Sequence, residues 1–170
     1  MKVEQTKLPG VMLVTPDIFE DYRGDFVETY NERDYAAMGM DARFVQDDIS
    51  VSAKNVLRGM HGDHETFKLV SCVYGKVYAV ILDCDEKSET FGKWQAFILS
   101  DANRRQLYIP PLYGNGYYVL SDLSVYTYKQ SAYYSANQFT YRWNDPKFNI
   151  RWPSGNPILS ERDENGGEKK

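Results

Sequence analysis

The chain has 170 residues, which suits one domain with its own apolar core. The formal net charge of −4 excludes a nucleic-acid binder that works through a broad basic surface. No apolar run is long enough for a membrane span, and the first residues lack the apolar block of a signal peptide, so we expect a cytoplasmic protein. The two cysteines, Cys72 and Cys84, lie in strand-like runs and are expected to be buried free thiols.

The first third of the chain predicts short strands and one helix. Apolar residues at 11–14 are followed by turn residues, and a second turn at 21–25 precedes an alternating strand at 26–30. Residues 32–40 predict the only helix, about two turns long and stopped by Gly39. Strand patterns continue at 44–46 and 49–52.

The remaining chain alternates strands with turns. Strands are predicted at 67–73, 76–83, 91–99, 106–109, 117–120 and 124–129, and the run at 76–83 is apolar on both faces and therefore expected to be central. Short strands at this spacing favour a sandwich or barrel. We therefore expect one all-β domain over 1–170, with a flexible tail after about residue 163.

The stretch 57–63 (LRGMHGD) is the first candidate site, because it holds His61 among charged residues and glycines. A histidine can serve as a general base, although a lone histidine is more often a structural one in a sheet. A base also needs an orienting partner. The residues alone leave five carboxylates open as that partner: Asp47, Asp48, Asp63, Asp83 and Asp163.

Further candidate site residues each allow a functional and a structural interpretation. Arg58 and Arg23 could bind phosphate through their forked donors, or could be ordinary surface arginines. Lys68 could point into a cleft and stabilise an oxyanion, or could extend to solvent from a half-exposed strand. Tyr128 and its tyrosine neighbours could donate a proton or stack on a base, although such residues more often serve packing.

Ordered motifs over nearly the whole chain resemble the dTDP-4-dehydrorhamnose 3,5-epimerase family of sugar-nucleotide epimerases. The matching segments are DYRGDF (21–26), FVQD (44–47), VLRGMH (56–61), KLV (68–70), TFGKW (90–94), RQLYIPP (105–111), VLSD (119–122), YK (128–129), RWNDP (142–146), IRWP (150–153) and LSERD (159–163). The resemblance implies a cupin-type double-stranded β-helix, or jelly roll, with short helical segments. It implies a nucleoside-diphosphate-linked 4-keto sugar as substrate, epimerised at C3, C5 or both.

The resemblance also implies residue roles. His61 matches the catalytic base, Asp163 its carboxylate partner, Lys68 the lysine near the keto oxygen, and Tyr128 the acid on the opposite face of the sugar. The implied substrate and nucleotide contacts are Arg58, Arg23, Phe26, Glu28, Gln46, Asp48, Asp63, Asn115 and Tyr133, with Arg23 and Phe26 reaching the partner subunit of a homodimer that exchanges strands and shares the nucleotide site. Neither a cofactor nor a metal is expected, because the ketone is itself the electron sink and His61 and His64 are too few for a usual cupin metal centre.

Three departures from the family pattern fall in the implied sugar pocket. His-Tyr-Gln is replaced by His61-Gly62-Asp63, a histidine is replaced by Asn115, and a Gln-Asp-Asn-His segment reads QDDI at 46–49. Gly62 and Asp63 are expected to leave room for a larger sugar, with Asp63 selecting the substrate. Together with other segments they resemble a branch that acts on GDP-linked 4-keto-heptoses in capsule synthesis. A C3-only epimerase, a 3,4-ketoisomerase and a non-catalytic sugar-nucleotide-binding cupin remain alternatives.

Overall fold

The computed structural model describes residues 1–167, in which thirteen strands and two short helices follow one another. In chain order they are β1 (Lys2–Gln5), β2 (Met12–Thr15), β3 (Ile18–Asp21), β4 (Gly24–Val27), α1 (Glu32–Ala37), β5 (Gln46–Ala53), β6 (Leu57–Gly62), β7 (Lys68–Tyr74), β8 (Lys76–Asp83), β9 (Trp94–Ser100), β10 (Gln106–Ile109), β11 (Tyr113–Val119), β12 (Leu123–Gln130), β13 (Phe139–Thr140) and α2 (Glu161–Asn165). The predicted all-β class is confirmed.

Two antiparallel sheets pack face to face as a jelly roll. One has the order β1-β2-β10-β7-β12-β5 and the other the order β13-β6-β11-β8-β9, while β3 and β4 form a separate hairpin. Strand β8 lies between β11 and β9, so its predicted central place is confirmed. Its alternate residues serve two cores: Ala79 and Ile81 face the inside of the sandwich, whereas Val80 and Leu82 pack beneath the C-terminal segment.

The inner faces of the strands pass from a filled core at one end to an open cavity at the other. Val70 of β7 and Tyr126 of β12 belong to the core, where the Tyr126 ring stacks on Tyr117 with ring centroids 4.3 Å apart. Two residues further along the same faces come Lys68 and Tyr128. Because side chains on one face of a strand recur every second residue, the sandwich itself carries these polar groups to its open end.

Two predictions near the N-terminus need correction. The strand predicted at 26–30 ends at Val27, because the Thr29 carbonyl accepts hydrogen bonds from Gln106 Nε2 at 2.7 Å and from the Tyr35 hydroxyl at 3.0 Å rather than from a strand. The predicted helix begins at Glu32 as expected, capped by the Asn31 side chain. It ends at Ala37, before the Gly39 stop, with Gly39 at φ +87°.

The prediction of only one helix is wrong, because a second helix, α2, follows Ser160. The Ser160 hydroxyl accepts a hydrogen bond from the Asp163 backbone N–H at 3.2 Å and donates one to the Asp163 carboxylate at 2.9 Å. The bond from the Asp163 N–H makes Ser160 the N-cap of α2, and the Ser-x-x-acid spacing is the sequence sign of such a helix start. Helix α2 extends to Asn165, into the stretch after about residue 163 that is expected to be flexible, and residues 168–170 lie outside the described part. Neither helix is long and apolar enough to cross a membrane.

Candidate active site

A cavity of about 200 Å³ opens between the two sheets at the polar end of the sandwich. Side chains from both sheets, from the segment before β13 and from α2 line it. They are Asp48, Arg58, His61, Lys68, Asn115, Tyr128, Gln130, Tyr134, Gln138 and Arg162. Five of the charged or titratable residues expected from the sequence, among them His61, Lys68 and Tyr128, therefore meet in one place.

His61 on β6 is paired with Asp163, which lies on α2. The His61 Nε2 atom is 2.5 Å from Asp163 Oδ1, and the imidazole keeps 28% of its surface exposed while the carboxylate is buried. Burial alone would raise the pKa of Asp163, but the hydrogen bond and charge of His61, with help from Ser160, lower the pKa overall. An ionised Asp163 accepts a hydrogen bond from the Nε2–H group. In that tautomer of the imidazole, Nδ1 carries the lone pair that can accept a proton. Of the five candidate carboxylates, Asp163 is the one that contacts His61.

Two glycines let β6 come close to β11 beside this pair. A Cβ added at Gly59 would lie 2.4 Å from the Cα of Gly116, and Gly59 has φ +130°. Only glycine tolerates both conditions. Gly59 of β6 and Gly116 of β11 therefore let the two strands approach closely at the point between Arg58 and His61.

Lys68 is buried and faces the cavity, so the alternative in which it extends to solvent is wrong. Its Nζ atom lies 3.4 Å from Asp63 Oδ2. Burial lowers the pKa of Lys68, and the charge of Asp63 opposes that effect. The result is a cation held between a carboxylate behind it and the cavity in front.

Tyr128 approaches the cavity from the other sheet. Its hydroxyl lies 3.5 Å from Ser50 Oγ, which is 2.7 Å from the Tyr117 hydroxyl. Burial raises the pKa of Tyr128 well above that of a free phenol. The hydroxyl therefore keeps its proton at neutral pH and can donate it, whereas His61 on the opposite sheet can accept one.

Amides and a carboxylate complete the polar lining. Asp48 Oδ2 accepts hydrogen bonds from Gln46 Nε2 at 2.8 Å and from Gln130 Nε2 at 2.5 Å. Asn115 stands opposite His61 in the β6–β11 register, and its Nδ2 is buried without a hydrogen-bond partner in residues 1–167. At the rim, Arg58 is an exposed residue whose Nε donates to Ser52 Oγ at 3.0 Å.

Comparison with known proteins shows to which family the chain belongs. The model of the family described as dTDP-4-dehydrorhamnose 3,5-epimerase matches residues 5–169. A dTDP-4-dehydrorhamnose 3,5-epimerase of Shigella flexneri is 43% identical over 98% of this chain and 94% of its own length. The chain belongs to the dTDP-4-dehydrorhamnose 3,5-epimerase family. It is an isomerase that acts on a nucleotide sugar.

Two further relatives show the range within the family. The crystal structure of the 3,5-epimerase of Legionella pneumophila Philadelphia 1 in complex with dTDP-4-keto-L-rhamnose superposes with a TM-score of 0.91, at 37% identity over 95% of this chain and 89% of that one. A dTDP-4-dehydrorhamnose 3-epimerase of Streptomyces niveus is 34% identical over 96% of this chain and 82% of its own length. Epimerases of one centre and of two centres are therefore both similar to this chain.

Some residues expected to bind the substrate lie outside the cavity. Arg23 and Phe26 are on the β3–β4 hairpin, where Arg23 pairs with Asp21 at 2.5 Å and Phe26 is 69% exposed. Glu28 is exposed just after that hairpin. Tyr133 is 75% exposed, and its neighbour Tyr134 lines the cavity instead.

The room expected at Gly62 and Asp63 is occupied, which corrects the expectation of a larger pocket there. A Cβ at Gly62 would lie 2.3 Å from Phe139 Cζ, so the Phe139 ring fills the space above the glycine. Asp63 is buried beside Lys68 and does not line the cavity. Its expected part in selecting the substrate by direct contact does not fit this position.

Sequence reasoning missed three of the cavity residues, whereas Tyr134 was among the tyrosine neighbours of Tyr128 named as candidates. Gln130 could have been found from strand alternation, because it follows Tyr128 by two residues on β12. Arg162 precedes Asp163 on the helix that was not predicted, and it donates to Thr140 Oγ1 at 2.7 Å. Gln138 lies in an irregular segment for which the sequence offers no pattern. Within residues 1–167, no three His, Cys, Asp or Glu side chains are grouped so that they could hold a metal ion.

Proposed function

We propose that the protein inverts C3, C5 or both carbons of a nucleoside-diphosphate-linked 4-keto sugar by removing and returning a proton through an enolate. The observation that carries this proposal is the position of the two proton-transfer groups. His61, with Asp163 behind it, comes from one sheet, and Tyr128 comes from the other, with the cavity between them. A sugar ring in that cavity has one group on each face, as an inversion requires.

The chemistry follows from the side chains. The 4-keto group acidifies the protons on its neighbouring carbons, and His61 Nδ1 takes one of them while Asp163 stabilises the imidazolium. The electron pair of the broken C–H bond moves onto the keto oxygen, where the Lys68 ammonium stabilises the enolate. Tyr128 then donates its proton to the same carbon from the opposite face. Proton exchange with solvent restores neutral His61 and protonated Tyr128.

The nucleotide half of the substrate fits the exposed rim. Arg58 uses Nε to bond Ser52 and leaves its terminal nitrogens free to bind a diphosphate. The relatives are enzymes of dTDP-linked sugars, which favours a dTDP-4-keto-6-deoxyhexose. A GDP-4-keto-heptose, for surface polysaccharide synthesis, is the second candidate substrate, because Asn115 stands in the wall opposite His61 where the family pattern has a histidine.

Proton exchange tests this function directly. We expect that the protein, incubated with each 4-keto sugar nucleotide in D₂O, incorporates deuterium at C3 and at C5 of its true substrate, as followed by NMR and mass spectrometry. Exchange at C3 alone would identify a 3-epimerase, and movement of the carbonyl to C3 would identify a ketoisomerase. If the protein binds the sugar nucleotides tightly but incorporates no deuterium at C3 or C5, it is a non-catalytic binding protein and the proposal is refuted.

We also propose a homodimer in which the β3–β4 hairpin of one subunit completes the nucleotide site of the other. The hairpin exposes three aromatic side chains, and Tyr22 at its tip is 97% exposed. Its ion pair to the rest of the chain joins Asp25 and Arg104 at 2.7 Å. An aromatic hairpin that is so exposed matches the composition of a subunit interface.

Replacing Phe26 by serine is expected to weaken the dimer about 30-fold, since a central aromatic residue of an interface contributes about 2 kcal/mol. Sedimentation at several concentrations measures the dimer constant, and KM for the sugar nucleotide should rise in parallel if the hairpin reaches the partner's site. Ile158→Ser is the matched control, because Ile158 is also an exposed apolar residue but lies outside the hairpin. A Phe26→Ser protein with an unchanged dimer constant would contradict this arrangement.

A further inference from the structure

Asp63 is the second carboxylate buried behind a reactive group of the cavity. Asp163 lies 2.5 Å from His61 Nε2, and Asp63 lies 3.4 Å from Lys68 Nζ. Both carboxylates are buried and neither lines the cavity. The two oxygens of Asp63 have different partners, so its effect on the backbone can be separated from its effect on Lys68.

One oxygen of Asp63 shapes the turn after β6. Oδ1 accepts the backbone N–H of Thr66 at 2.7 Å and that of Glu65 at 3.1 Å. The backbone carbonyl of Asp63 accepts from Leu112 N at 2.8 Å. These bonds account for a structural role, and they leave Oδ2 free for Lys68.

The other oxygen faces a buried ammonium that needs a counter-charge. Moving an ammonium out of water favours its neutral form, so a buried lysine without a partner loses its proton at a lower pH. The charged or titratable groups that share the cavity with Lys68 come from β5, β6, β12 and α2, and they are Asp48, Arg58, His61, Tyr128 and Arg162. Arg162 disfavours the Lys68 charge. Among residues 1–167, Asp63 is the only carboxylate within ion-pairing distance of Lys68.

We propose that Asp63 is a positioning residue that keeps Lys68 protonated and directed into the cavity, so that the ammonium can stabilise the enolate. This inference rests on the proposed function for the role of Lys68, although the ion pair exists without it. Asp63 therefore acts on the electrostatics of Lys68 rather than on the size of the sugar pocket.

The ion pair between Asp63 and Lys68 determines in which direction the pH dependence of kcat shifts when Asp63 loses its charge. Activity needs charged Lys68, which exists below the pKa of its ammonium. Burial lowers that pKa and Asp63 raises it, so loss of the Asp63 charge moves the pKa further down. The fall in kcat on the alkaline side of the pH profile then shifts to lower pH. Ionisation of Tyr128 affects kcat only at higher pH, because burial raises the pKa of that phenol.

Asp63→Asn is the decisive variant, because asparagine has the same shape and keeps an oxygen for the Thr66 and Glu65 N–H groups. We expect its alkaline limb of kcat to move down by about 1–3 pH units, the usual effect of one opposite charge at this range. Asp63→Glu restores the charge and should return the limb towards the wild-type position. Asp83→Asn is the control for loss of a buried carboxylate, since Asp83 bonds Ser88 and Thr90 away from the cavity.

A titration of the unliganded protein separates this inference from the proposed function. The ¹³Cε resonance of Lys68, assigned with Lys68→Met, should titrate at lower pH in Asp63→Asn than in wild type, whether or not a substrate is known. An unmoved resonance in Asp63→Asn, or an equal shift in Asp63→Glu, would overturn the inference. Absence of C3 and C5 exchange in the wild type, with the resonance shift present, would refute only the proposed function.

Discussion

Replacing His61 by asparagine is expected to lower kcat by about 10³-fold or more while nucleotide binding changes less than about twofold. A positioned general base contributes about 10²–10⁴-fold, and His61 is the imidazole of the cavity. The asparagine amide is too short to reach Asp163, but that carboxylate still accepts hydrogen bonds from the Ser160 hydroxyl at 2.9 Å and the Gly59 N–H at 3.4 Å, so it keeps partners and the fold is retained. It has no lone pair that takes a proton at neutral pH. Turnover is measured by NMR of the sugar, and binding of the nucleoside diphosphate by calorimetry.

The second histidine provides a matched control for that experiment. His64 is exposed and lies edge-on to Phe139 with ring centroids 5.7 Å apart, outside the cavity. His64→Asn should therefore leave kcat within about twofold of the wild type. Turnover in His61→Asn that matches the wild type would exclude His61 as the base, and loss of nucleotide binding in that variant would show a structural defect instead.

The strands that carry the site could be read from the sequence because their side chains follow a simple period. The apolar run at 76–83 predicted a central strand, and β8 is central because it packs on both of its faces. The same period places Lys68 and Tyr128 on inner faces, but it does not say whether an inner position is core or cavity. That distinction depends on where the sandwich opens, which no local pattern encodes.

The partner of His61 lies 102 positions away in the chain, and this separation explains why the residues alone left five carboxylates open. The family resemblance selected Asp163, and the helix that holds it was missed although Ser160 and Asp163 have the spacing of a capping box. For Asp63, an interpretation from its neighbours in the sequence was wrong. Its place next to Gly62 suggested an enlarged pocket, but Phe139 from β13 fills that space and Lys68 takes the carboxylate. Both contacts are tertiary.

Replacing Tyr128 by phenylalanine is expected to uncouple proton removal from inversion. The variant loses the donor on the face opposite His61, so formation of the inverted product should fall about 10²–10⁴-fold. His61 and Asp163 are untouched and still remove the proton and return it to the same face. In D₂O we therefore expect deuterium in recovered substrate of unchanged configuration, measured by NMR at C3 and C5.

A tyrosine two residues earlier on β12 makes the comparison specific. Tyr126 is fully buried, and its hydroxyl has no hydrogen-bond partner in residues 1–167, so Tyr126→Phe removes an unsatisfied polar atom and should not reduce stability or turnover by more than about twofold. Inversion by Tyr128→Phe at the wild-type rate would show that another group donates the proton. Loss of both exchange and inversion would instead place Tyr128 in enolate formation, because the hydroxyl lies beside Ser50 on the wall that faces His61 and also carries Lys68. The ratio of exchange to inversion thus distinguishes an acid on the second face from a residue that assists the first step.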